Sequence, residues 1–199
     1  MLVQSLLRQL VDPGLFAEAN KYLAQSCYKA LFKPWLTLSL SYLLGQNSEV
    51  DALELSAPYQ DDEQFWRYQM KPFGIRTSDR NHASKADIKL QWHQHSVWTE
   101  VQVFHQDELG LASAFRRLEQ DFRRVERLHQ QLPMDQGLLL VGFWGSLQPE
   151  HIQLFRPFDN NVRISYVLDS RLSGSSQVAR LSHIQRAGQP RFCLIAFMP

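Results

Sequence analysis

Cysteine is scarce in this 199-residue chain: Cys27 and Cys193 are the only two and lie far apart. A disulfide framework and a structural zinc site, which both need grouped thiols, are therefore excluded, and a reducing cytoplasm is the expected setting. Charge of one sign is lacking too, because 21 Lys and Arg stand against 20 Asp and Glu for a net +1. Affinity for a polyanion must come from a local patch. Long apolar runs are missing: the best, Trp35 to Leu44, contains Thr37, Ser39 and Ser41 and is about half of the roughly 20 residues a membrane span requires. Met1 to Val11 has no basic start, and Asp12-Pro13 interrupts it before any cleavage pattern, so neither export nor a membrane is expected. No G-x-G-x-x-G, P-loop or G-x-S-x-G motif occurs, which leaves nucleotide binding by those modes and serine-triad hydrolysis without support.

What is present is the composition of a folded domain, with 44% hydrophobic and 21% charged residues. The first 48 residues read as a helical section. Leu2, Leu6 and Leu10 recur at fourfold spacing, Asp12-Pro13 opens a second helix over Leu15 to Leu31, Lys33-Pro34 punctuates, and Trp35 to Leu44 forms a third before Gly45-Gln46-Asn47. Val50 to Leu55 is a short candidate strand. Asp61-Asp62-Glu63 supplies first-turn acids for a short helix up to Pro72, and Ile75 to Thr77 follows as a candidate strand.

From Lys85 the alternation is strict, with Ala86, Ile88, Leu90 and Trp92 on one face and Lys85, Asp87, Lys89 and Gln91 on the other. His93 to Ser96 makes a turn, and Val97 to His105 returns as a second strand with Trp98, Glu100, Gln102 and Phe104 sharing a face. Ala112 to Leu132 has the pattern of an amphipathic helix, its stripe marked by Phe115, Leu118, Phe122, Val125 and Leu132. Gly137 to Trp144 is nearly all apolar, as expected of a central strand covered on both faces. Gln148 to Phe155 reads as a helix, Val162 to Leu168 and Arg191 to Phe197 as strands. The expected fold is α/β (α+β), with a helical section over 1–48 packed on a core over 49–199 and a single domain overall.

One constellation carries chemistry. A hairpin brings opposite side chains to roughly 5 Å, and Asp87 and Glu100 lie on the polar faces of two strands joined by a short turn. Two carboxylates so placed are stabilised together by a cation, and hard oxygen ligands suit Mg²⁺ or Mn²⁺. The string Lys85-Ala86-Asp87-Ile88, then Glu100-Val101-Gln102, then the long helix and the apolar strand, resembles the core of the PD-(D/E)XK, restriction-endonuclease-like superfamily over about residues 61 to 145. The resemblance implies a core of helix, three strands, helix and strand, built on a central mixed sheet flanked by helices. It also implies that Asp87 and Glu100 hold Mg²⁺ or Mn²⁺ in a nuclease site, with Glu63 as an extra acid from the preceding helix. Gln102 stands at the superfamily's lysine, and an amide has neither that charge nor a transferable proton, so Lys85 or Lys89 is left to supply it.

Divalent-metal hydrolysis of phosphodiester bonds is thus the expected activity, with nucleic acid, DNA first, as partner. A catalytically inactive protein of the same fold, binding nucleic acid or another protein, is the alternative, and a homodimer is left open. Arg116, Arg117 and Arg123 on the long helix are candidates for phosphate contact. The bland readings stand beside these: Asp87 and Glu100 as solvated hairpin positions paired with Lys85 and Lys89, Glu63 as a dipole-favoured first-turn acid, and the arginines as a solvated face with i,i+4 partners. His82, His93, His95 and His105 lack a third ligand at conventional spacing and read as turn residues.

Overall fold

In a computed structural model of the chain, residues 2–25, 29–59, 85–109, 112–132, 134–159, 163–169, 178–181 and 189–199 are described. The expected helix after Asp61, with Glu63, the strand at 75–77 and His82 lie outside them.

Three helices open the chain: α1 (Leu2–Gln9), α2 (Pro13–Leu23) and α3 (Lys29–Gly45). The start of α2 is set locally, since the Asp12 carboxylate accepts the Leu15 N–H at 2.7 Å and Pro13 occupies the first turn, where no N–H is needed. Sequence punctuation misleads at the next boundary. The Leu15 to Leu31 run divides between α2 and α3, and α3 continues through Pro34 instead of breaking there. Phe32, Leu36, Leu40 and Leu44 are buried at fourfold spacing across the proline. At about 1.5–3 kcal/mol per buried side chain, their burial exceeds the roughly 3 kcal/mol that a proline costs a helix.

Four strands follow, β1 (Val50–Pro58), β2 (Lys85–Trp92), β3 (His95–His105) and, after a short α4 (Gln106–Leu109) and a long α5 (Ala112–Gln131), β4 (Gln136–Gly145). The chain then forms α6 (Pro149–Phe155), β5 (Ile164–Leu168), β6 (Val178–Arg180) and β7 (Arg191–Met198). All seven strands join one mixed sheet in the order β1-β2-β3-β4-β7-β5-β6. Strands β1, β2 and β3 pair antiparallel, β3 and β4 parallel with α5 as the connection, and the remaining pairs antiparallel.

Both faces of the sheet are covered. On one, α1, α2 and α3 bury Leu7, Phe16, Leu36 and Leu40 against Ile88, Leu90, Val101 and Leu140, so the N-terminal helices belong to the sheet's own core. On the other, Leu118, Phe122 and Val125 of α5 pack with Phe104, Leu139, Val141 and Phe143, and Phe115 lies against the same cluster. Alternate residues of β4 thus enter opposite cores, which is why its sequence has no polar phase. Helix α5 crosses β4 so closely that a Cβ on Gly137 would stand 2.5 Å from the Val125 carbonyl oxygen.

Candidate functional site

The β2–β3 hairpin turns more tightly than the sequence suggests. Pairing extends to Trp92 and His95, leaving His93-Gln94 as the turn, with His93 at φ 53. One step beyond the last pair at the other end, Ile88 with Thr99, the register sets Asp87 opposite Glu100. There a side chain takes over from the ladder: the Val101 N–H donates to the Asp87 Oδ2 at 2.7 Å. The same oxygen receives the Lys33 ammonium of α3 at 3.0 Å. Lys85 and Lys89, the expected charge donors, are placed otherwise. Lys85 is exposed at the strand start, and the Lys89 ammonium stands over the Trp98 ring, 4.3 Å from its centroid.

Glu100 is wholly buried rather than solvated. Its face of β3 is roofed by α5, and its Oε1 accepts from the Tyr59 hydroxyl at 2.9 Å and from the Arg124 Nε at 3.0 Å. Arg124 also donates to Asp121 one turn earlier on α5, and the second Asp121 oxygen accepts from the Gln102 amide. Tyr59 is fixed in turn by stacking on Trp98, whose indole N–H donates to Asp135 at 2.9 Å. A connected polar network, from Tyr59 through Glu100, Arg124 and Asp121 to Gln102, therefore spans β3, α5 and the residue that follows β1.

Its electrostatics follow from a count of charges. One guanidinium faces two buried carboxylates, and a buried negative charge in excess takes up a proton more readily. Burial pushes the Glu100 carboxyl up, the Asp121 and Asp87 charges add to this, Arg124 opposes it, and the result is a pKa of about 7. Burial, together with the Glu100 charge, pushes the Tyr59 hydroxyl well above its usual range, so it acts as a hydrogen-bond donor. Burial alone would pull Arg124 down, but the Glu100 and Asp121 charges outweigh it and hold the guanidinium charged.

Of the three acids expected to hold Mg²⁺ or Mn²⁺, Glu63 lies outside the described residues, Asp87 is paired with Lys33, and Glu100 is paired with Arg124, which Asp121 shares. An ion drawing on the Glu100 Oε1 would have to replace Arg124 and Tyr59 there. Among the described residues, no group of three or more His, Cys, Asp and Glu side chains is placed to hold a metal.

Beside the network is a cleft of about 310 Å³ between α3, the end of β3 and α5, lined by Lys29, Lys33, Gln102, His105, Glu108 and Arg117. The three arginines expected to contact phosphate part company here. Arg117 lines the cleft, with its guanidinium 5.1 Å from the Phe104 ring centroid. Arg116 and Arg123 are exposed on other parts of the helix surface, and Arg123 pairs with Glu119 at 2.6 Å. Of the histidines, His93 is an exposed turn residue, His95 lies 3.2 Å from the Met134 carbonyl oxygen, and His105 stacks on Trp144 at 4.6 Å.

Sequence reasoning missed Arg124, Asp121, Tyr59 and Lys33. A signal for Asp121 existed: Ala114, Leu118, Val125 and Leu128 follow one another at steps of four, seven and three with Asp121 midway, so a charge interrupts the buried stripe. Arg124, three residues on, is its i,i+3 partner. No family model, curated protein or solved structure matches the chain.

Proposed function

We propose that this chain is a protein with a restriction-endonuclease-like core that binds nucleic acid, DNA first, through its phosphates and does not cleave it. The order α3, β1, β2, β3, α5, β4 follows the superfamily's helix, three strands, helix and strand, with α3 in place of the helix expected after Asp61. Asp87 on the second of these strands and Glu100-x-Gln102 on the third keep the motif's positions. The observation that carries the proposal is the Arg124 guanidinium paired with both Glu100 and Asp121. An amide at the motif lysine, bonded to Asp121, points the same way. Removing one partner of a buried pair is strongly unfavourable, so exchanging Arg124 for a hydrated ion is opposed by the fold itself.

The test is calorimetric titration with Mg²⁺ and Mn²⁺, run with plasmid and RNA cleavage and with gel shifts at two salt concentrations. Salt-steep binding without metal-dependent cleavage is expected. Cleavage that Asp87→Asn or Glu100→Gln abolishes would overturn the proposal. It would favour the second reading, a Mg²⁺- or Mn²⁺-dependent nuclease. One observation speaks for that reading: the Lys33 ammonium at Asp87 is a positive charge beside the candidate ligands, which Gln102 cannot provide.

A further inference from the structure

The cleft beside the network gathers basic side chains in a chain whose overall charge is nearly balanced. Four donors converge on it from three elements: Lys29 and Lys33, one turn apart on α3, His105 at the end of β3, and Arg117 from α5. The first turn of α3 contains no acid to neutralise Lys29. The one carboxylate in the lining, Glu108, accepts the His105 backbone N–H at 2.9 Å and so turns part of its charge to the chain. Asp87 and Asp107, which pair with Lys33 and with the His105 Nδ1 at 2.8 Å, do not line the cleft. Among the lining residues three cations face a single carboxylate. With the Lys33–Asp87 pair counted, one unit of positive charge remains in the free cleft, and a second becomes available when a ligand draws Lys33 from Asp87.

Geometry sharpens this. The His105 ring is stacked on Trp144, so this donor is held by packing before any ligand arrives, and the exposed Arg117 lies over the Phe104 ring. Pre-organised donors lose little side-chain freedom on binding. The guanidinium and ammonium groups together suit a compact anion with several acceptor oxygens. A phosphodiester carries one negative charge, whereas a phosphate monoester carries about 1.5 to 2 at neutral pH and three terminal oxygens.

We propose that this cleft binds a phosphate monoester, the terminal phosphate of a nucleic acid strand or of a free nucleotide, through Lys29, Lys33, Arg117 and His105. It deepens the proposed function by naming an end rather than a duplex as the preferred target, and in that respect rests on it. Lys33 is the shared group. Its ammonium serves both Asp87 and the cleft, so an occupied cleft draws Lys33 toward phosphate and weakens its hold on Asp87.

The experiment compares the full chain's affinity for 5′-phosphorylated and unphosphorylated oligonucleotides of one sequence, with inorganic phosphate and a nucleoside monophosphate as competitors. At least tenfold tighter binding of the phosphorylated strand is expected, abolished by Lys29→Ala or Arg117→Ala and kept by Arg123→Ala. Competition by the nucleoside monophosphate at concentrations where the nucleoside is silent assigns the site to free nucleotides as well. Its absence alongside strand preference confines the site to strand ends. Equal affinity for both strands without competition by phosphate, or a preference that survives both substitutions, overturns the proposal. The two proposals fail separately. Phosphate binding at the cleft without strand binding removes the nucleic-acid reading alone, and duplex binding without end preference removes the cleft alone. Far-ultraviolet circular dichroism and a urea midpoint for each variant separate loss of the site from loss of the fold.

Discussion

Replacing Arg124 by methionine keeps much of the side-chain volume and removes the charge that Glu100 and Asp121 share. Both carboxylates are buried, at 0% and 4% exposure, and the guanidinium side chain is 11% exposed. Breaking a buried pair by deleting one partner costs about 3–5 kcal/mol, a large share of the 5–15 kcal/mol typical of a domain. With a urea slope of about 2–3 kcal/mol/M, the unfolding midpoint followed by tryptophan fluorescence should fall by roughly 1–2 M. The loss should depend on pH in a definite direction. Glu100 titrates at about 7 in the folded chain against an ordinary value of 4.5, so between these values the folded state holds a proton that the unfolded state releases. This group therefore lowers wild-type stability as pH rises from about 4.5 to 7, by on the order of 3 kcal/mol, and adds no further change above. Without Arg124 the Glu100 carboxyl moves higher still and the decline continues past pH 7. The variant's deficit should be larger at pH 8 than at pH 5, and Glu100→Gln in the same chain should restore much of it at pH 8. A loss under about 1 kcal/mol, or one that is the same at both pH values, would refute the view that Arg124 neutralises buried charge.

Three further outcomes are expected. Arg117→Glu should weaken nucleic-acid binding and flatten its salt dependence, while Arg123→Glu, which loses only an exposed pair with Glu119, should leave both nearly unchanged in gel shifts across a salt series. Gln102→Lys sets an ammonium beside Asp121 and should leave plasmid and RNA uncut with Mg²⁺. Cleavage by this variant would mean that the network tolerates an ion after all. Gly137→Ala forces a Cβ against the Val125 backbone and should destabilise by about 1–3 kcal/mol, read as a lower urea midpoint with an unchanged slope.

The sheet's middle was legible because each of its segments has a single period. Lys85 to Trp92 alternates, Ala112 to Leu132 repeats at three and four, and Gly137 to Trp144 is apolar throughout. These patterns report local geometry, and the structure has β2, α5 and β4 there. Pro34 misled because local punctuation gave way to the tertiary burial of Phe32 and Leu36 on either side of it. The register that sets Asp87 opposite Glu100 depends on the two-residue turn at His93-Gln94, tighter than the four-residue turn the sequence suggests, and the fate of their charges was not legible either. Tyr59 lies 41 residues from Glu100 and Arg124 lies 24, and no periodicity relates them. Only Asp121, a charge inside an apolar stripe, announced that a polar network was buried under α5.

The place of β7 in the sheet has a kinetic consequence. It lies between β4 and β5, pairing with Leu139 to Gly145 on one side and Ile164 to Leu168 on the other, although more than forty residues of chain separate it from β4. The hairpin and the α5 crossover can assemble from nearer contacts, whereas β7 must close the long loop before its burial contributes. Until it arrives, β4 offers an open edge bearing Leu139, Leu140, Val141 and Phe143, the kind of unpaired apolar strand that captures other chains. Insertion of β7 is therefore the step at which productive refolding and aggregation diverge. The yield of refolding from urea should fall as protein concentration rises, even though the finished sheet buries that edge completely.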